Sequence, residues 1–183
     1  MKWFKDEDFV RGNIPMTKFE VRAVTMAVLD IEEGDVLLDV GAGTGSISIQ
    51  AAALGAEVTA IEREVEGAEL ITKNAEKLCV KVNVINGSAP EDINKVDGFN
   101  KVFVGGSGGN LRDIIKAADS KLKANGLIVG NFVTPDNMVT FKNCLKEFGY
   151  TEIEARLIQT ANMDKIGLLK GQNPVFIVKG RKR

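Results

Sequence analysis

Apolar and polar positions along this chain fall into short runs that alternate between two periods. Runs of four to eight mostly apolar residues, rich in Val, Ile and Leu, predict buried strands at about Val36 to Val40, Glu57 to Ile61, Lys81 to Ile85, Lys101 to Val104 and Gly126 to Val133. Between them lie amphipathic segments with helical spacing: Thr17 to Leu29, positions 46–53, Glu64 to Leu78, Leu111 to Leu122 and about Asp136 to Phe148. Two further strand patterns, near Thr151 to Thr160 and Pro174 to Lys179, follow the last helix. Thr17-Lys18-Phe19-Glu20 matches a capping box at the start of the first helix. Strands alternating with helices predict an α/β fold: one domain over positions 1–183, with a lead-in at 1–16 and a seven-stranded, mostly parallel sheet with helices on both faces.

The chemistry concentrates where the first strand turns into its helix, at Asp39-Val40-Gly41-Ala42-Gly43-Thr44-Gly45. Glycines at every second position allow a tight turn and let a ligand approach the backbone closely. The following helix N-terminus offers unpaired N–H groups. The dinucleotide pattern G-x-G-x-x-G needs a glycine where Ser46 stands, and the third glycine is Gly45 instead. The second strand ends in Glu62, a carboxylate placed to accept hydrogen bonds from two ribose hydroxyls. Asp39 suits a cationic amine better than a pyrophosphate, which it would repel. D-x-G-x-G-x-G before a helix resembles the first motif of class I S-adenosylmethionine-dependent methyltransferases. That resemblance implies a Rossmann-like fold, S-adenosylmethionine as cofactor, and Asp39 on the cofactor's amino group.

Two more loops carry candidate chemistry. Gly87-Ser88-Ala89-Pro90 follows the third strand, where this fold borders the adenine, so Ser88 and Ala89 are candidate lining residues. Gly105-Gly106-Ser107-Gly108-Gly109 follows the fourth strand, at the place of the methyl acceptor. Four glycines in five residues are expensive to order, which favours ligand contact, and their N–H groups before a helix form a possible anion cradle. Only the Ser107 hydroxyl offers a side-chain acceptor there.

Charge and composition remove several classes of function. With 24 Lys and Arg against 25 Asp and Glu, the net charge is -1, and no basic stripe marks a nucleic-acid surface. No run approaches the length of a membrane span, and the N-terminus lacks the apolar core of a signal peptide, so a cytoplasmic protein is expected. Cys79 and Cys144 have no paired metal spacing and read as small apolar residues, so no metal site is expected. Histidine is absent, which removes the usual neutral-pH base and suits an already activated methyl donor better than hydrolysis. No catalytic acid or base stands out.

Taken with Gly12-Asn13-Ile14-Pro15-Met16-Thr17-Lys18 and Glu20-Val21-Arg22, these motifs resemble one family, over positions from about 10 to 178. It is the cobalamin-pathway family that methylates carbon 15 of cobalt-precorrin-6B and decarboxylates its C12 acetate. The resemblance implies cofactor contact at Thr17, Gly41, Ala42, Gly43, Thr44, Gly45, Glu62 and Ala89. It further implies a corrinoid acceptor whose carboxylate arms meet Gly105, Gly106, Ser107, Gly108 and Gly109, with Arg11, Lys18, Arg22 and Arg112 as candidate cations. The family is typically tetrameric. Alternatives are a class I methyltransferase for another small molecule or tRNA, a non-catalytic cofactor-binding module, and, disfavoured by the glycine spacing, a nicotinamide oxidoreductase.

Overall fold

The apolar runs pair side by side as one sheet, because strands buried on both faces must be covered by helices on both. The structure is a computed structural model and describes residues 2–106 and 108–183. Its strands are β1 (Val36–Val40), β2 (Glu57–Glu62), β3 (Asn83–Asn86), β4 (Lys101–Val104), β5 (Leu127–Phe132), β6 (Thr151–Ile158), β7 (Ala161–Met163), β8 (Leu169–Gly171) and β9 (Val175–Arg181). The helices are α1 (Phe19–Leu29), α2 (Ser46–Ala53), α3 (Val65–Lys77), α4 (Leu111–Lys121) and α5 (Pro135–Glu147). The main sheet has seven strands in the order β3-β2-β1-β4-β5-β9-β6, the first five parallel and β9 antiparallel to both its neighbours.

Side-chain alternation divides the core in two. Leu38, Val102, Val104, Ile128 and Val178 pack with Ile114, Ile115, Phe141 and Leu145 of α4 and α5. Leu37, Phe103, Val129 and Ile177 pack on the other face with Met26 and Leu29 of α1 and Ile47 and Ala51 of α2. The strand order reverses between β1 and β4, and the loops leaving those two parallel strands open a crevice at their carboxyl ends.

The pattern-based expectation for the sheet agrees with this architecture, and three local features differ. Residues 161–171 form a separate antiparallel hairpin, β7–β8, too short to show a period. The capping box is absent: α1 begins at Phe19, and its N-cap Lys18 makes no side-chain cap hydrogen bond. The carbonyl of Thr17 instead accepts hydrogen bonds from Arg22 Nη1 (2.8 Å) and Ser46 Oγ (3.4 Å), which draws the preceding chain across the helix end. Cys144 is buried as expected, whereas Cys79 is exposed just beyond α3 in the left-handed region (φ +57°).

The lead-in is not a loose tail. Phe4 and Phe9 are buried, and Gln50 accepts from Phe4 N and donates to the carbonyl of Lys2. Asn74, fully buried on α3, accepts from Val10 N at 2.6 Å and donates to the carbonyls of Val10 and Thr44. One amide thus ties the lead-in to the first glycine loop. Among the described residues, no helix is long and apolar enough to cross a membrane.

Candidate active site

At the carboxyl ends of β1, β2, β4 and β5 lies a cleft of about 1030 Å³, roomy enough for a nucleoside-sized ligand together with a second molecule. Its near wall is the β1–α2 loop. Gly41 N and Ala42 N both donate to the carbonyl of Ile61 (2.9 and 3.2 Å), locking that loop onto the end of β2. Gly41 has φ +69°, and a Cβ there would stand 2.7 Å from the backbone N and O of Gly106. Gly45, at φ +78°, is glycine for a different reason, since a Cβ would stand 2.9 Å from Ile71 of α3. The loop is therefore held by backbone contacts on one side and helix packing on the other.

Glu62 closes β2 with its carboxylate on the cleft wall. Oε2 accepts from Gly43 N at 2.7 Å and Oε1 from Glu64 N at 2.9 Å, which leaves each oxygen further accepting capacity toward the cleft. Gly67 makes this placement possible, because a Cβ there would lie 2.6 Å from Glu62 Cγ. A pre-positioned carboxylate beside side-chain-free backbone fits the ribose and methionyl parts of S-adenosylmethionine. Thr17, Ala42, Ser88 and Ala89 line the same space, with Ile14, Pro15 and Met16 over the glycine loop; the carbonyl of Pro15 lies 3.2 Å from where a Gly43 Cβ would be.

Asp39, Thr44 and Gly45 do not line the cleft. Strand alternation points Asp39 toward α2, where it is fully buried and its Oδ2 accepts from Ser48 Oγ at 2.5 Å, while Oδ1 has no partner. It supports the loop from behind, and a contact with a cofactor amine is not part of this geometry. Burial pushes its carboxyl up to about 7, with the charge of Glu62 adding to the rise and the Ser48 hydrogen bond opposing it.

The second glycine loop also works differently from an anion cradle. Gly105 N and Gly106 N both point at the carbonyl of Val40 (2.9 and 3.4 Å), so these two donors are committed to the fold. A Cβ at Gly105 would lie 2.9 Å from the carbonyl oxygen of Gly41. Gly105, Gly106 and Gly108 line the cleft, Gly109 does not, and Ser107 lies outside the described residues.

Two proposed cations are elsewhere. Arg22 is fully buried beneath the lead-in, donating to the carbonyls of Phe4 (2.6 Å) and Thr17 (2.8 Å), 3.4 Å from Asp6 and against the rings of Phe9 and Phe19. Its helical position turns it into the core, and it serves as a bolt for the lead-in. Arg112 pairs with Glu147 between α4 and α5, away from the cleft. Arg11 is drawn to Asp6 at 3.5 Å. Lys18 does line the cleft, and Arg63, which motif reading missed, is the other basic lining residue among those described. Also missed were Asn131 of β5 and Thr160, Gln172 and Asn173 beside the β7–β8 hairpin, which line the cleft as well. A polar Asn within the apolar strand Leu127–Phe132 was the signal that could have marked Asn131.

The family model described as a precorrin methyltransferase domain matches residues 8–180. The chain is 36% identical to a probable cobalt-precorrin-6B C(15)-methyltransferase (decarboxylating) of Sulfolobus acidocaldarius, covering 97% of this chain and 96% of that protein. It is 37% identical to the cobalt-precorrin-6B C(15)-methyltransferase (decarboxylating) of Salmonella typhimurium, covering 95% and 93%. The crystal structure of a precorrin-6y C5,15-methyltransferase from Geobacter metallireducens superposes with a TM-score of 0.93 at 34% identity, over 99% of this chain and 97% of that one.

The buried Asp39 predicts a pH signature. Its ordinary value is 3.8, so between about pH 4 and about pH 7 the folded protein keeps a proton that the unfolded chain has released. Stability therefore falls as pH rises through that window and levels off above it. Asp39→Asn keeps an acceptor for Ser48 and never ionises. Its melting temperature should gain on the parent's between about pH 5 and about pH 8, by roughly 2–8 °C. Thermal melts at several pH values measure this, and a difference that does not change with pH contradicts it.

Proposed function

The chain belongs to the precorrin methyltransferase family, and on that premise we propose that it methylates carbon 15 of cobalt-precorrin-6B, using S-adenosylmethionine, and removes the C12 acetate carboxyl as carbon dioxide. The observation that carries this reading is Glu62, fixed by Gly43 N at 2.7 Å on the wall of a cleft of about 1030 Å³ that both glycine loops border. A carboxylate held by two backbone N–H groups offers its remaining lone pairs to ribose hydroxyls without having to be reorganised. Gly41, Ala42 and Gly43 present backbone to the methionyl end, Ser88 and Ala89 border the adenine, and Thr17 closes the near side. Gly105, Gly106 and Gly108 give the acceptor a wall without side chains beside the methyl group.

When bound, the sulfonium supplies an already activated methyl group, which suits a chain without histidine. The work left to the protein is orientation and exclusion of water. Ile14, Pro15 and Met16 cover the glycine loop, while Phe103, Val21 and Ile47 make the floor apolar. The macrocycle takes the electron pair released on decarboxylation, so a side-chain electron sink is not required. Lys18 and Arg63 are the charge partners we assign to acceptor carboxylates at the mouth.

We further read positions 1–183 as one methyltransferase domain, cytoplasmic, acting on a small molecule rather than nucleic acid or membrane, and assembling as a tetramer. What supports assembly is the β7–β8 hairpin, whose Met163, Ile166, Leu168 and Leu169 are 58–80% exposed. Apolar side chains grouped on a projecting hairpin suit contact with a second copy.

Purified protein given S-adenosylmethionine and cobalt-precorrin-6B should release one carbon dioxide for each methyl transferred. Protein that binds the cofactor yet does neither contradicts the assignment. Glu62→Ala should weaken cofactor binding by about 1–3 kcal/mol in a calorimetric titration, whereas unchanged affinity removes Glu62 from the site. Ile166→Asp combined with Leu169→Asp should move sedimentation of the assembly toward monomer. A parent protein that itself sediments as a monomer contradicts the tetramer.

A further inference from the structure

Strand β5 reads Leu127-Ile128-Val129-Gly130-Asn131-Phe132, and alternation puts Leu127, Val129 and Asn131 on the face covered by α1. Leu127 and Val129 are buried in the core, while Asn131 is partly exposed because it lines the cleft. A polar residue at the cleft end of an apolar row is held there by one partner. Thr25 of α1, fully buried, donates its hydroxyl proton to the carbonyl of Val21 at 2.8 Å. With that proton committed, Thr25 Oγ1 accepts from Asn131 Nδ2 at 2.9 Å, although it also lies 3.3 Å from Asn131 Oδ1. The Thr25 contact uses one Nδ2 proton, and the second has no partner among the described residues.

The cleft-lining residues from β5 onward in the chain are all uncharged. Besides Asn131 they are Val133, Ile158, Thr160, Gln172, Asn173 and Val175. The charged lining residues come from other segments: Lys18 from the lead-in, Glu62, Arg63 and Glu64 from the end of β2, and Glu91 beyond β3. A ligand carboxylate against β5 therefore meets a neutral donor in an otherwise apolar and amide-bearing surface. A neutral donor of fixed direction selects by geometry, and any formal negative charge at the same point would be strongly rejected.

We propose that Asn131 is a specificity-determining residue for the acceptor: oriented by Thr25, it donates its free amide N–H to one carboxylate arm of the tetrapyrrole. Thr25 is a positioning residue for that contact. The inference rests on the reading above that the acceptor is a polycarboxylate macrocycle, and it concerns the wall opposite the cofactor residues.

Asn131→Asp tests it through a charge rather than a volume. At about pH 8 the introduced carboxylate faces the arm, and KM for cobalt-precorrin-6B should rise about tenfold or more. The calorimetric Kd for S-adenosylmethionine should stay within about twofold, which also reports that the variant is folded. Asn131→Leu removes the donor without adding a charge and should raise KM less, by about two- to fivefold, so the gap between the two variants reads the charge facing the arm. A purely structural role for Asn131 does not order the two variants in that way. Thr25→Val keeps the side-chain volume and the amide but removes its orienting partner, so a smaller KM rise of about two- to fivefold is expected, again with cofactor affinity kept. Unchanged KM in Asn131→Asp, or a KM rise no larger than that of Asn131→Leu, overturns the proposal while the functional reading stands. Wild-type protein that binds S-adenosylmethionine but leaves cobalt-precorrin-6B untouched overturns both.

Discussion

Everything about this site depends on two loops that touch backbone to backbone. Gly41 leaves β1 and Gly105 and Gly106 leave β4, and these strands are neighbours in the sheet. The carbonyl of Val40 receives the N–H groups of both Gly105 and Gly106, and a Cβ on Gly41 would stand 2.7 Å from Gly106 backbone atoms. Any side chain at this contact would force the loops apart and widen the cleft at the point where two ligands must meet. The glycines of the second loop are explained first by this approach, and only then by what their open surface offers an acceptor.

Around that contact, buried polar side chains from distant segments hold irregular backbone in place. Glu62 takes Gly43 N, Asn74 joins Val10 to Thr44, and Arg22 gathers the carbonyls of Phe4 and Thr17. A buried polar group left without a partner is costly, so each of these side chains finds the backbone it needs, and each fixes a strand of chain that has no ladder of its own. The roof of the cleft is therefore built by side chains of α1 and α3 reaching outward to the lead-in. This is the physical content of the Pro15-Met16-Thr17 segment that motif reading could identify only by resemblance.

The sheet and the first glycine loop were readable because their signals are local. Apolar runs such as Val36–Val40 and Lys101–Val104 report burial directly, and glycine spacing reports backbone shape. The failures were of direction. Asp39 lies on the motif yet turns behind it to Ser48, because alternation along β1 decides its side. Arg22 and Arg112 are basic and near the motifs in sequence, but one is sealed by Phe9 and Phe19 and the other is taken by Glu147. The Thr17 capping box matched in letters and failed in structure: the N-cap is Lys18, so Thr17 lies one residue outside it, with its carbonyl held by Arg22 and Ser46.

By itself the sequence determined the strand and helix order, the glycine turn after β1, the acid at the end of β2 and the absence of histidine, since each follows from residue type and spacing within about one turn or strand. Tertiary structure alone decided which charges face the cleft, why the second loop is made of glycine, and that Asn131 stands beside Thr25. Those outcomes depend on contacts between segments up to 106 residues apart, as between Thr25 and Asn131. Side-chain direction at such a distance is fixed by packing, and no local pattern encodes it.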